Sequence, residues 1–235
     1  MNGQLQDLSP FLQNNHAVVQ IREANYDRAV QVLRSTLAAL SAFMRNSFDD
    51  SEDFTEDDSF VHLDLSKSGV RFSSCNSTMT LPPYECEQVP KHFVPSPLEA
   101  PNNLPLNTRT GEVLSYIVMY NLALTWHLWG LSTSKVEDKE SFLLKALNLY
   151  RLAHGVISGG RMNVGLCHYM TLVCNTGHIH FCLGSAEKAN ACFQLLLKSL
   201  MFVVDQGRQC VCEFLDGFIC NIVPLVLEER GAAAA

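Results

Sequence analysis

Charge is what this chain has least of. Only 17% of its 235 residues are Asp, Glu, Lys or Arg, against 47% hydrophobic. A surface so poor in charge leaves apolar area for a partner to cover. Basic side chains are the scarcer kind: 17 Lys and Arg against 24 Asp and Glu give a net charge of −7, which argues against a nucleic-acid partner. The first ten residues lack the basic start and apolar run of a signal peptide, and the nine cysteines are odd in number and scattered. Reduced thiols in a cytoplasmic or nuclear setting are therefore expected. Gly155, Gly159 and Gly160 lack the lysine and threonine that would grip a phosphate. No local signature frames a cysteine, histidine or aspartate for catalysis, so no catalytic residue is assigned and no enzyme is expected.

Two stretches carry no charged residue at all, 113–131 and 166–184. Each is about long enough to cross a bilayer as a helix. Asn121, Thr125 and His127 in the first, and Asn175, Thr176, His178 and His180 in the second, would be costly in lipid. Buried helices are expected instead, with no membrane association. The second stretch also has an internal spacing: Gly177, then His180, Gly184, Ala189 and Phe193. Gly177 and Ala189 are small, as two closely approaching helices need, while His180 and Phe193 are bulky enough to fill the gap where it opens. Gly184 suits the left-handed position that ends a first helix. This spacing resembles the tetratricopeptide repeat (TPR), a paired-helix unit.

The same offsets recur earlier. Leu122, Ala123, Trp126 and Gly130 occupy the signature places of a unit over residues 111–158, completed by Ala146, Tyr150 and Ala153 after eleven added residues. A degenerate unit over 9–46 has Ala17, Ala24, Ala29 and Leu33, with Gln20 in the aromatic place and Ala24 where glycine would end the helix. The closing proline of the family is missing from all three units; Ser41, Ser158 and Met201 stand there. The resemblance implies an all-α fold of three antiparallel helix pairs.

In chain order, Ser9 caps and Pro10 opens a first helix running to residue 24, and a second continues to about residue 46. Residues 47–110 change character, with the acidic blocks 49–53 and 56–58 followed by serines and a series of prolines from Pro82 to Pro105. No helical period survives, so a largely disordered insertion is expected, or an acidic docking or phosphorylated segment. Within it, residues 60–65 and 91–94 are two short strand candidates, paired with each other. Helix three is expected over 111–132, its partner after the added residues, the third pair over 161–204, and a capping helix over 210–229 kinked by Pro224. Residues 231–235 form a frayed tail. The domains so read are 1–46, 47–110, 111–230 and the tail.

Asn15, Asn121 and Asn175 each lie two residues before the small residue of their unit, Ala17, Ala123 and Gly177. Resemblance to the TPR family implies that such asparagines face a concave groove and bond the backbone of a bound peptide. An amide donates and accepts together, which suits an extended peptide. The alternative is that they cap or pack between helices. Tyr120, His127 and His178 nearby would make the groove aromatic and uncharged. With Ile117, Tyr120, Leu124, Thr171, Cys174 and His178 at the matching places, it lacks the Lys and Arg that grip an acidic C-terminus, so weak or no binding of such peptides is expected. Cys167, His168, Cys174, His178, His180 and Cys182 could suggest zinc. His178 and His180 face different ways on a helix, however, and small buried thiols explain the cysteines. No metal or cofactor is expected. The function expected is a non-enzymatic scaffold binding a protein or peptide partner. The alternative is a self-associating protein whose charge-poor helices form a homodimer.

Overall fold

The structure, a computed structural model, describes residues 8–49, 63–64, 70–72, 93–101, 105–158, 162–163, 165–205 and 215–223. The fold is all-α. Six helices follow one another: α1 (Pro10–Arg22), α2 (Tyr26–Asp49), α3 (Thr108–Ser132), α4 (Val136–Ser158), α5 (Gly165–Cys182) and α6 (Ala186–Asp205). Residues 215–223 form a further helical stretch, here α7, and Pro224 lies outside the described residues. Four two-residue strands, β1 (Leu63–Asp64), β2 (Arg71–Phe72), β3 (Leu98–Glu99) and β4 (Met162–Asn163), make two short pairs. The chain divides into two compact units, one of residues 1–79 and 96–164, the other of 80–95 and 165–235.

In the first unit α1 starts as its sequence directs: Pro10 needs no partner for a missing N–H, and the Ser9 hydroxyl accepts from Leu12 N–H at 3.4 Å. It ends at Arg22 because Ala24 turns left-handed, with φ of 57°. The Ala24 N–H then reaches Ile21 O and the Asn25 N–H reaches Gln20 O at 2.9 Å, which closes a Schellman turn. Ala17 of α1 and Ala29 of α2 are fully enclosed, and the two helices pack together. Helix α3 begins three residues before the expected residue 111. Asn107 and Thr110 form a capping box, each side chain taking the other's backbone N–H at 2.9 Å. It packs on α2 and on α4, with Ala123, Ala146, Tyr150 and Ala153 wholly buried.

Gly130 lies inside α3 rather than at its end. A side-chain carbon there would meet Leu143 at 3.1 Å and the Lys139 carbonyl at 3.3 Å, so the missing Cβ admits the facing helix. The residues added between Gly130 and Ala146 therefore lengthen both helices of the pair. Trp126 stacks on Trp129 at 5.2 Å with Phe142 against both, and the Lys145 ammonium sits 4.6 Å from the Trp126 ring centre.

The short strands pair otherwise than expected. Leu63–Asp64 runs parallel to Met162–Asn163, and Arg71–Phe72 runs antiparallel to Leu98–Glu99. Of the candidate 91–94, Phe93 and Val94 lie outside any strand, and residues 91–92 lie outside the described residues. Pro95 and Pro97 offer no N–H for a ladder there.

In the second unit α5 and α6 pack closely around Gly177, where an added Cβ would meet the Phe193 ring at 2.8 Å and Cys192 Cβ at 3.0 Å. Gly184, at φ of 70°, ends the turn of α5 with the same pair of bonds seen at Ala24: its own N–H to Phe181 O, and Ser185 N–H to His180 O at 2.8 Å. The core joins Met170, Val173 and Cys174 of α5, Ala189, Phe193 and Leu196 of α6, and Phe218 and Ile222 of α7. Val94 belongs to the same cluster.

Candidate functional site

Residues 93–101 read Phe-Val-Pro-Ser-Pro-Leu-Glu-Ala-Pro. A residue before proline is pushed to extended dihedrals, and here that applies to Val94, Ser96 and Ala100. Such a chain cannot become a helix, and its prolines have no N–H to offer a sheet. Its remaining backbone groups still need partners once buried. In an extended chain the N–H and C=O of one residue point to the same edge, and alternate residues share that edge.

Asparagine side chains meet that edge. In the first unit the Leu98 N–H donates to Asn121 Oδ1 at 2.7 Å, and Asn121 Nδ2 donates back to Leu98 O at 2.8 Å. Two residues on, the Ala100 N–H donates to Asn15 Oδ1 at 2.9 Å, and Asn15 Nδ2 donates to Ala100 O at 2.7 Å. Between the prolines, the Tyr120 hydroxyl donates to Ser96 O at 3.3 Å. The opposite edge faces β2, where Arg71 stands against Glu99. In the second unit the motif recurs: Val94 N–H donates to Asn175 Oδ1 at 2.7 Å, and Asn175 Nδ2 donates to Val94 O at 3.1 Å. Each asparagine thus acts as a two-point clamp on the backbone N–H and C=O of a single residue, and here that residue belongs to the protein's own chain.

Burial makes these bonds matter. Asn121 and Asn175 have no exposed surface, and Leu98 is likewise fully enclosed. An unmet amide at such a place costs about 1–3 kcal/mol. Side chains add selectivity. Glu99 pairs with Arg22 of α1 at 3.1 Å, both partly exposed, so the pair contributes under about 1 kcal/mol. Phe93 lies on His178 at 4.7 Å between ring centres.

The residues singled out in the sequence divide by place. Asn15, Tyr120 and Asn121 meet the extended segment in the first unit, and Asn175 and His178 meet it in the second. His127 does not join them: it is buried edge-on to Tyr150 at 6.1 Å, between α3 and α4. His180 is buried beside the α5 turn. Asn14 is a site residue that no repeat offset marks. It is fully buried, donates to Leu98 O at 3.1 Å and accepts from Asn121 Nδ2 at 2.9 Å, so it links α1 to α3 through the clamp. The signal was present as two adjacent asparagines inside a helix, where asparagine is a poor helix former.

Other chemistry is sparse. Among the described residues no three His, Cys, Asp or Glu converge as a metal site, and no helix is long and apolar enough to cross a membrane. Cys182 Sγ lies 3.6 Å from His178 Nδ1. Burial pushes the Cys174 thiol up to about 12, a shift that the Asn221 amide donating to its sulfur partly offsets and the neighbouring Cys192 adds to. A thiol held so far above neutrality is no nucleophile. A cleft of about 640 Å³ among α2, α3 and α4 is lined by Leu37, Leu122, Trp126 and Leu149 with Arg34 and Lys145, and it contains none of the clamping asparagines. No family model matches the chain, and no curated protein and no solved structure is significantly similar to it.

Proposed function

We propose that this chain is a non-enzymatic interaction module, similar to TPR proteins, that binds an extended peptide of a protein partner through asparagine amides on the first helix of each pair. One observation carries the reading. Asn121 holds both backbone groups of Leu98 at 2.7 and 2.8 Å, and Asn15 and Asn175 repeat the arrangement at Ala100 and Val94. A clamp that reads backbone rather than side chain suits many sequences, as a recruiting module needs. The test is affinity capture with the wild type beside an Asn121→Ala, Asn175→Ala double variant. A specific prey lost from the folded variant is expected, and an identical prey set would remove the reading.

Self-association is the second reading. It is favoured by the end of α6, where Met201, Phe202 and Val204 are exposed by 56–75%. Light scattering behind size exclusion distinguishes the two, since a dimer at every concentration would favour self-association.

A further inference from the structure

We propose that the segment from Ser96 to Ala100 is a detachable, built-in ligand of the first unit. An incoming partner displaces it with an extended peptide of the same kind: proline, a large aliphatic residue, an acidic residue, then a small one. This rests on the module reading above and adds the partner's chemistry and the means of control.

Three features of the segment separate it from an ordinary core strand. Its strand, β3, is only two residues long and has β2, equally short, on one side. On the other side its backbone is met by Asn121, Asn15 and Tyr120 instead of a strand. Side-chain amides stay in place on rigid helices when a peptide leaves, so a second peptide finds the donors and acceptors already set. Pro97 and Pro101 bracket the clamped residues and hold the chain extended before it binds, which lowers the ordering cost for whichever peptide occupies the site.

The side chains specify the rest. Leu98 is wholly enclosed and Ala100 nearly so, which admits a large aliphatic residue at the first place and a small one two later. Between them Glu99 points to Arg22, 3.1 Å away at the surface. The match of the built-in segment to its site is therefore a template for the ligand. Because the segment is tethered, its effective concentration is high, and a free peptide competes poorly until the segment is weakened.

Two measurements test this. The first is amide hydrogen exchange of the wild type, resolved by NMR. Leu98 and Ala100 are expected to exchange by local opening, at rates insensitive to low urea and at least tenfold faster than buried amides of α3 such as Leu124. Exchange as slow as α3, and urea-dependent like it, would make the segment part of the core and overturn the proposal. The second is fluorescence anisotropy with a labelled synthetic peptide of sequence Ser-Pro-Leu-Glu-Ala-Pro. It is expected to bind a Leu98→Asp variant, whose own segment is displaced by a buried charge, at least tenfold more tightly than the wild type. Arg22→Glu added to that variant should weaken it severalfold, and a peptide with lysine in place of the glutamate should recover that loss. Equal affinity for wild type and a folded Leu98→Asp variant, or none for either, would sink the proposal. If that variant does not fold, the exchange rates decide alone. A closed segment together with prey lost from the asparagine variant would remove the displacement and leave the binding module standing.

Discussion

A carboxamide enclosed in protein is stabilising only when its N–H groups and its oxygen are all met, and the asparagines here differ in how completely they are enclosed. Asn121 is fully buried and serves Leu98 and Asn14 together, whereas Asn15 is only half-buried. Asn121→Ala strips partners from the Leu98 N–H and from the Asn14 oxygen, so a loss of about 2–3 kcal/mol is expected, against about 1 kcal/mol for Asn15→Ala. Urea titration with unchanged m-values checks the order, and equal losses would contradict it. Backbone conformation gives a second pair of opposed expectations. Ala24 holds φ of 57° where Gly184 holds 70° in the matching turn, so Ala24→Gly should stabilise by roughly 0.5–1 kcal/mol. Gly177→Ala should destabilise by about 1–3 kcal/mol, because its Cβ would sit 2.8 Å from the Phe193 ring. Thermal melts of both variants test the signs. These places were legible from the sequence because each is set by local offsets: a small residue, a ring, a helix-ending residue. Asn14 was not, because its role depends on a partner 107 residues away.

Among elements, helices were easier to read than what lies between them. Their apolar and small residues recur at helical spacing, and short links at 23–25, 133–135 and 183–185 force neighbours to pack. Gly111 offers no capping side chain, and the helix α3 starts earlier because Asn107 and Thr110 carry the capping box. Asn107→Ala should therefore cost about 1 kcal/mol, with the loss seen as faster hydrogen exchange confined to the first turn of α3. No change in that turn would mean that packing alone holds it. Residues 93–101 were harder still. Proline, serine and an acidic residue read as a segment unable to order itself, and by local criteria that is correct. What orders the segment is supplied by side chains 23 to 85 residues distant, a separation that composition cannot register. The same distance explains the strands. Leu63–Asp64 takes Met162–Asn163 as its partner, while in the nearer candidate, 91–94, Val94 is followed by Pro95 and has its backbone met by Asn175.

At the scale of the molecule, the two compact units respond differently to alkali. The second holds Cys174, raised from its ordinary 9.0 to about 12 by burial, and Cys192 and Tyr169, both also raised chiefly by burial. The first holds Tyr116, whose buried hydroxyl has no partner among the described residues and whose ionisation is pushed well above 10.0 by burial. These groups stay protonated when folded and ionise when the chain unfolds. The unfolded chain then binds fewer protons than the folded one, so stability falls as pH rises. For Cys174 the contribution is complete below pH 9 and disappears between 9 and about 12, at roughly 1.4 kcal/mol per pH unit while only the unfolded thiol is ionised. For Tyr116 the decline begins only near pH 10. The second unit should therefore weaken first. Urea unfolding at pH 8, 9, 10 and 11, followed by the Trp126 and Trp129 fluorescence of the first unit and by exchange of α5 amides in the second, is expected to show α5 losing protection one pH unit earlier. Cys174→Ala should lower stability at every pH, through the space left by the sulfur, yet flatten the decline of α5 between pH 9 and 11. The comparison uses slopes, so lysines and exposed tyrosines common to both proteins cancel. A variant whose slope matches the wild type would mean that the Cys174 thiolate is accommodated in the core after all, with the Asn221 amide donating to it and burial of little consequence.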